Sequence, residues 1–208
     1  LQAETPQVVT QAAYTFTDAN IGAAAADRYV IAVIHAMSSV NGRTLNSASI
    51  GGSAATIHAN ANKSVLASNT TIAAISGLLV PAGTTATVVA TFSDTMLICY
   101  CRIYTLRRAL SNTPTATKTT TVDPATSATI ADTIDIPARG ALLAASTATT
   151  ATGSWSMAGV TLDVTESNGN IPAGAGHSNR LAAETGRAYS ATISSSLPTM
   201  AMAAAAWH

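Results

Sequence analysis

The sequence predicts an all-β protein of the sandwich type, and three observations carry this prediction. Residues 85–92 largely alternate apolar and polar side chains with a period of two, the pattern of a strand with one buried face. Tight-turn residues flank that segment, Pro81-Ala82-Gly83 before it and Ser93-Asp94-Thr95 after it. No helix of ordinary length is indicated, because the alanine-rich pieces are short and lack capping residues.

The first part of the chain is expected to hold an arm followed by strands. Residues 1–12 are polar and glutamine-rich, and we expect an N-terminal arm there. Residues 29–37 form a continuous apolar run, which indicates a strand buried on both faces. Residues 97–106 alternate, so that Cys99 and Cys101 face one side of another strand. Further strands are predicted over residues 14–17, 47–50, 53–58 and 71–80, with a polar surface loop over 60–69.

The second part of the chain begins with a connecting segment and continues with further predicted strands. Residues 111–124 are rich in threonine and proline and lack apolar periodicity, so we expect an extended linker that crosses the surface. Residues 167–180 carry several turn signals and are expected to form the longest irregular loop. Strands are predicted over residues 127–136, 141–145, 155–166, 188–193 and 199–207.

The two parts of the chain resemble each other at nearly constant spacing. The segment 28–33 matches 139–144 in character, and Ser49-Ile50-Gly51-Gly52 matches Ser156-Met157-Ala158-Gly159. This repeat indicates either two tandem small sandwiches or one sandwich whose halves share a strand plan. We therefore assign a β-sandwich domain to residues 13–208, with halves at about 13–110 and 125–208 and the linker 111–124 between them.

Composition bounds the partners of the protein. Charged residues make up 10% of the chain, and ten basic and ten acidic residues cancel to a net charge of zero. A neutral chain lacks the positive surface that nucleic-acid binding requires, so no nucleic-acid partner is expected. No run reaches the roughly 18 apolar residues of a membrane span, so no membrane insertion is expected either. Low net charge also removes the usual protection against self-association, which favours a homo-oligomer.

Motifs for catalysis are missing. The nearest approach to the G-x-S-x-G motif, residues 153–157, has Met157 where glycine is needed. The H-E-x-x-H motif, the P-loop and the dinucleotide-binding glycine motif do not occur. Cys99 and Cys101 are best explained as small hydrophobic residues in a core strand, because C-x-C alone is a weak metal signal. We therefore expect no catalytic residues, no cofactor and no metal, and a protein that is not an enzyme.

Four residues are candidates for ligand contact. Trp155 could stack on a sugar ring, although a core aromatic is the common role of such a residue. Asp163 lies near the turn residues that include Asn168, a setting that suits contact with calcium or sugar. His177 follows a glycine-rich segment that would present it at the surface. The alternative for Asp163, Asn168 and His177 is an ordinary turn or loop.

Four segments carry a resemblance to a known group of proteins. They read ADRYVIAV at residues 26–33, IGGSAATI at 50–57, PAGTTATVVATFS at 81–93 and ICYCRIYTL at 98–106. In these segments the chain resembles small β-rich virion proteins of alphaproteobacterial tailed phages and gene transfer agents, which include head-spike, head-fibre and tail-fibre-like components. The resemblance implies a jelly-roll-like structural domain on a virion, often oligomeric, with no catalytic residues.

Two functions follow from these observations. The first is a non-enzymatic structural protein of a phage-type virion, such as a capsid decoration, a head spike or fibre, or a tail component. Such a protein would act by self-assembly and by docking to capsid or tail proteins. The alternative is a carbohydrate-binding receptor-recognition module of a phage fibre, which would bind a host surface glycan through residues 167–180 and nearby aromatic side chains.

Overall fold

The computed structural model describes residues 2–3, 7–65, 69–123, 127–149, 153–167, 171–194 and 199–208. These residues form strands joined by turns and bends, which confirms the prediction of an all-β fold. Within them, no helix is long and apolar enough to span a membrane.

The described residues form sixteen strands in two groups of eight. The first group comprises β1 Gln2–Ala3, β2 Gln11–Asn20, β3 Tyr29–Ser38, β4 Leu45–Ile50, β5 Ser53–Val65, β6 Asn69–Leu79, β7 Thr85–Met96 and β8 Ile98–Leu106. The second group comprises β9 Ala116–Val122, β10 Thr129–Ile136, β11 Gly140–Thr149, β12 Trp155–Ala158, β13 Thr161–Ser167, β14 Pro172–Leu181, β15 Glu184–Ile193 and β16 Thr199–Trp207.

Each group has the strand order of a jelly roll. In the first group β1, β8, β3 and β6 lie side by side, β2, β7, β4 and β5 form the opposing layer, and β5 also pairs with β6. In the second group β9, β16, β11 and β14 have the same order with β13 added, and β10, β15 and β12 form the opposing sheet. The chain therefore folds as two tandem jelly rolls, which we call the N-roll (residues 2–106) and the C-roll (residues 116–207).

The internal repeat of the sequence corresponds to this duplication. Arg28 and Arg139 directly precede β3 and β11, which hold the same place in their rolls. The matched segments around residues 49 and 156 begin in β4 and β12, which are also equivalent. The weak similarity between the two parts therefore connects strands with the same pairing partners.

Three apolar layers hold the molecule together. The interior of the N-roll is filled from both halves of its eight-stranded sheet, and its largest members include Tyr14, Phe16, Ile34, Ile72 and Phe92. The interior of the C-roll is filled in the same way by residues that include Ile134, Leu142, Trp155, Tyr189 and Met202. The third layer lies between the rolls and packs β3, β5, β6 and β8 against β11, β14 and β16. Burial of this apolar surface is the main stabilising contribution.

The layer between the rolls is built largely from alanine. Its alanines are Ala59, Ala61, Ala73, Ala145, Ala175, Ala201, Ala203 and Ala205. Small side chains allow the two sheets to approach closely. β3 and β16 are buried along their whole length, because each lies between the interior of its own roll and this layer. This confirms the two-sided burial predicted for residues 29–37, and it overrides the helix propensity of residues 201–206.

Several local expectations are wrong. The linker expected over residues 111–124 contains β9, which pairs with β16 and exposes threonine on its outer side. An edge strand of this kind has no apolar period to reveal it. The loop expected over residues 60–69 is occupied mainly by the end of β5, and β7 runs through the turn expected at residues 93–95. The chain bends instead at Leu97, between β7 and β8.

The loop expected over residues 167–180 is largely β14, a strand paired on both sides. Its glycines explain the error. A Cβ atom on Gly174 would lie 2.8 Å from Cγ of Trp155, and one on Gly176 would lie 2.6 Å from the carbonyl oxygen of Thr161. Neighbouring groups approach the backbone so closely that the strand needs glycine at these two positions.

The N-terminal arm lies along β8 in its described part. Gln2 and Ala3 pair with Ile103 and Arg102, and Gln7 forms a bridge with Cys99. The arm therefore occupies the position that β9 has in the C-roll, and β2 begins at Gln11.

Candidate functional site

A groove of about 520 Å³ lies at one end of the layer between the two rolls. The N-roll contributes β3, β8 and the residues that follow β8, and the C-roll contributes β11, β14 and β16. Buried side chains that line it include Ile31, Leu142, Leu143 and Trp207. The groove depends on the tandem arrangement, because each roll supplies only part of its lining.

Four of the ten basic residues of the chain line this groove: Arg107, Arg108, Arg139 and Arg180. All four are exposed. Among the described residues, the ion pairs of arginine and lysine involve Arg43, Lys63, Arg102 and Arg187 instead. The groove therefore concentrates positive charge that no carboxylate of the described chain neutralises by direct pairing.

Arg107 and Arg108 each form one hydrogen bond, Arg107 through its side chain and Arg108 through its main chain. The guanidinium group of Arg107 donates a hydrogen bond to the carbonyl oxygen of Ala23. The main-chain N–H of Arg108 donates to Oδ2 of Asp27 over 2.8 Å, which leaves the guanidinium group of Arg108 out of that bond. Asp27 is thus held by the backbone next to the groove rather than by an arginine side chain.

The backbone at the groove is unusual. Three groove arginines have left-handed φ angles, at 58° for Arg108, 58° for Arg139 and 53° for Arg180. Asp18 is the other non-glycine residue with a positive φ in the described chain. A long side chain is uncommon in this conformation, and such residues concentrate at functional sites.

A hydrogen-bonded triad of Tyr104, Asp163 and His177 borders the groove. Nδ1 of His177 lies 2.7 Å from Oδ2 and 2.9 Å from Oδ1 of Asp163, and the hydroxyl of Tyr104 donates to the same carboxylate over 2.9 Å. The rings of Tyr104 and His177 meet edge to face, with centroids 6.0 Å apart. Burial and the neighbouring Asp163 raise the pKa of Tyr104, so the phenol stays neutral and acts as a donor.

The chemistry of this triad is that of an oriented, half-exposed imidazole. Asp163 has a largely buried side chain and fixes the ring of His177 through Nδ1. No hydroxyl or thiol of the described residues hydrogen-bonds to the His177 ring, so the pair lacks an adjacent nucleophile. Nor do the described residues contain a cluster of three or more metal-binding side chains. The arrangement suits ligand contact better than covalent catalysis.

The structure brings two of the four candidate contact residues together. Asp163 and His177 meet at the groove, on adjacent strands β13 and β14. Trp155 is wrong as a stacking residue, because it is only 3% exposed and packs inside the C-roll. Asn168 lies outside the described residues.

The groove arginines were not identified from the sequence. They come from three separate places in the chain, after β8, before β11 and at the end of β14. The one local signal was the pair Arg107-Arg108, which stands out in a chain with few charges. Its meaning depends on the contact between the rolls, which no local pattern reveals.

Comparisons with known proteins add no assignment. The sequence matches no protein-family model, and none of the curated proteins matches it.

Proposed function

We propose that this chain is a non-enzymatic structural subunit of a phage-type virion, which associates with copies of itself and docks onto capsid or tail proteins. The single observation that carries the proposal is the tandem jelly roll, with the same strand order in both groups of eight. Jelly rolls are common in viral capsid proteins, and also in lectins and cupins. Because one fold serves several functions, the surfaces and interiors must decide between these uses.

The interiors argue for a structural use. Apolar side chains from the opposing strands of each roll fill its interior, and the apolar layer between the rolls joins them into one packed body. The two interiors hold large apolar residues such as Ile34, Phe92, Ile134 and Met202. Each roll therefore has a filled apolar interior, as a structural domain does.

The outer surfaces suit repeated contact with other proteins. The C-roll turns the sheet β10-β15-β12 away from the N-roll, and its exposed face carries small side chains: Thr129, Ala131, Thr133, Ser156, Ala158 and Ala188. The net charge of zero provides no general repulsion between copies. The exposed acids Asp135 and Glu184 lie at one end of this sheet. Away from that end, a face of small, uncharged side chains packs against a partner at little cost in desolvated charge.

The alternative function, a carbohydrate-binding module of a phage fibre, was based on aromatic side chains that are buried in the structure. Trp155, Tyr189 and Trp207 are each at most 3% exposed, so none of them presents a ring for sugar stacking. Residues 172–181 form β14 instead of a flexible binding loop. Assembly remains the function with the broader support.

Two measurements test the proposal. Particles released by the cells that encode this chain should contain it, as seen by antibody labelling and electron microscopy. The purified protein should also form oligomers in light scattering. The double variant A131K/T133K, which places charge on the outer sheet, should weaken that association. The matched variant T117K/T119K on β9 should retain it. Absence from the particles together with a monodisperse monomer at all concentrations would overturn the proposal.

A further inference from the structure

We propose that the groove between the two rolls is a binding site for an acidic saccharide, one that carries carboxylate or sulfate groups on a hydroxylated chain. The inference does not depend on the virion role, because it concerns a local site that the tandem fold creates. Residues 177–180 of the groove lie within the segment that the sequence analysis named for glycan contact, whereas its arginines and its position between the rolls were not indicated by the sequence.

Charge is the first argument. Arg107, Arg108, Arg139 and Arg180 bring four positive charges to one groove in a chain whose total net charge is zero. The described part of the chain supplies these guanidinium groups with no ion-pair partner. Like charges gathered on one surface repel each other, and an anionic ligand would relieve this repulsion. Arginine also binds carboxylate and sulfate oxygens through paired N–H groups.

The polar groups between the arginines indicate the body of the ligand. Thr105, Ser178 and Asn179 line the same groove, and His177 is held at its border by Asp163. Hydroxyl, amide and imidazole groups pair well with sugar hydroxyls. The volume of about 520 Å³ falls in the range of small-ligand sites and suits a few sugar units. With Tyr104 and Trp207 both buried, recognition would rest on charge and hydrogen bonds rather than on ring stacking.

An acidic peptide is the main competitor, and the strands argue against it. Peptides commonly bind by adding a strand to an unpaired sheet edge. β11 pairs with β14 and β16, and β14 pairs with β11 and β13, so neither of these groove strands offers such an edge. The groove instead offers side chains that reach from three separate segments.

Titration calorimetry on the full chain tests the site with four probes of similar length. We expect binding of a tetragalacturonate and of a heparin tetrasaccharide, which carry carboxylates and sulfates respectively, and no binding of neutral maltotetraose. Their relative affinities distinguish the two kinds of anionic group. Hexaglutamate serves as the peptide probe and should bind more weakly than the better of the two acidic saccharides.

Matched variants locate the site. R139N/R180N removes two groove charges, and asparagine tolerates the left-handed backbone at both positions. We expect it to weaken saccharide binding by about tenfold or more, since charge-assisted hydrogen bonds to arginine are lost. The variant K118Q/R187Q removes two charges outside the groove and should bind as the unmodified chain does. Failure of both acidic saccharides to bind, equal loss in both variants, or a preference for hexaglutamate would each overturn the proposal.

Discussion

Nδ1 of His35 in the N-roll lies 2.9 Å from Oγ1 of Thr147 in the C-roll, within the buried layer between the rolls. The Thr147 hydroxyl donates its hydrogen to the carbonyl oxygen of Ile72 over 3.0 Å, so it accepts a hydrogen bond from His35. The proton of the neutral imidazole therefore sits on Nδ1. Burial, assisted by the positive charge of Arg102, lowers the pKa of His35 to about 3.

This contact predicts a loss of stability in acid. The unfolded chain takes up a proton on His35 below its ordinary pKa of 6.5, while the folded chain does not until about pH 3. The contribution of the neutral His35 side chain to the free energy of unfolding is therefore complete above pH 6.5 and is lost as the pH falls toward 3. For this histidine we expect the free energy of unfolding to drop by about 2–3 kcal/mol between pH 7.5 and pH 4.5, measured by urea denaturation.

The variant H35Q isolates this contribution. Glutamine keeps an N–H donor for Thr147 but does not titrate, so its stability should fall by about 2–3 kcal/mol less over the same pH interval. Other groups titrate alike in both proteins and cancel in the comparison. Equal acid sensitivity of the two proteins would show that His35 is not held neutral by its burial.

The sequence revealed features that depend on one strand at a time and missed those that depend on contacts between strands. The two-sided burial of β3 and the packing role of Cys99 follow from local apolar patterns, and both are found in the structure. The strand at Gly174 was missed, because its need for glycine comes from Trp155 on another strand. Asp163 and His177 were each noted, but only the pairing of β13 with β14 makes them partners.

Arg28 holds the turn between β6 and β7, at residues 80–83, by hydrogen bonds to main-chain carbonyls. Its guanidinium group donates to Val80 over 2.8 Å, to Ala82 over 2.6 Å, and to Gly83 over 2.9 Å, and it is buried. The variant R28M should lower the free energy of unfolding by about 2–3 kcal/mol, because these partly buried hydrogen bonds to a charged donor are lost. Thermal or urea denaturation measures this loss.

The equivalent arginine of the C-roll supplies the control. Arg139 precedes β11 as Arg28 precedes β3, but it is exposed. R139M should therefore change the stability by no more than about 0.5 kcal/mol. Similar losses for R28M and R139M would contradict a special role of the Arg28 hydrogen bonds.

The two cysteines should be chemically inert in the folded protein. Cys99 and Cys101 are both fully buried in the N-roll interior. Burial, with the neighbouring Cys101 as a second cause, raises the pKa of Cys99 well above its ordinary value, which suppresses the reactive thiolate. Ellman's reagent should label neither thiol of the native protein and both thiols in urea. Rapid labelling under native conditions would contradict this burial.

The two sheets of the C-roll approach each other closely where the Trp155 indole covers Gly174. Because a Cβ atom at position 174 would lie 2.8 Å from Cγ of Trp155, G174A should lower the free energy of unfolding by about 2 kcal/mol.

If the clash with the Trp155 ring is the cause of this loss, a smaller residue at position 155 should relieve it. W155L should therefore destabilise the G174A protein by at least about 0.5 kcal/mol less than it destabilises the unmodified chain. F92L, in the interior of the N-roll, is the control and should add to G174A without coupling, since the two sites share no contact layer. Additive effects of G174A and W155L in urea denaturation would mean that the glycine is required for another reason.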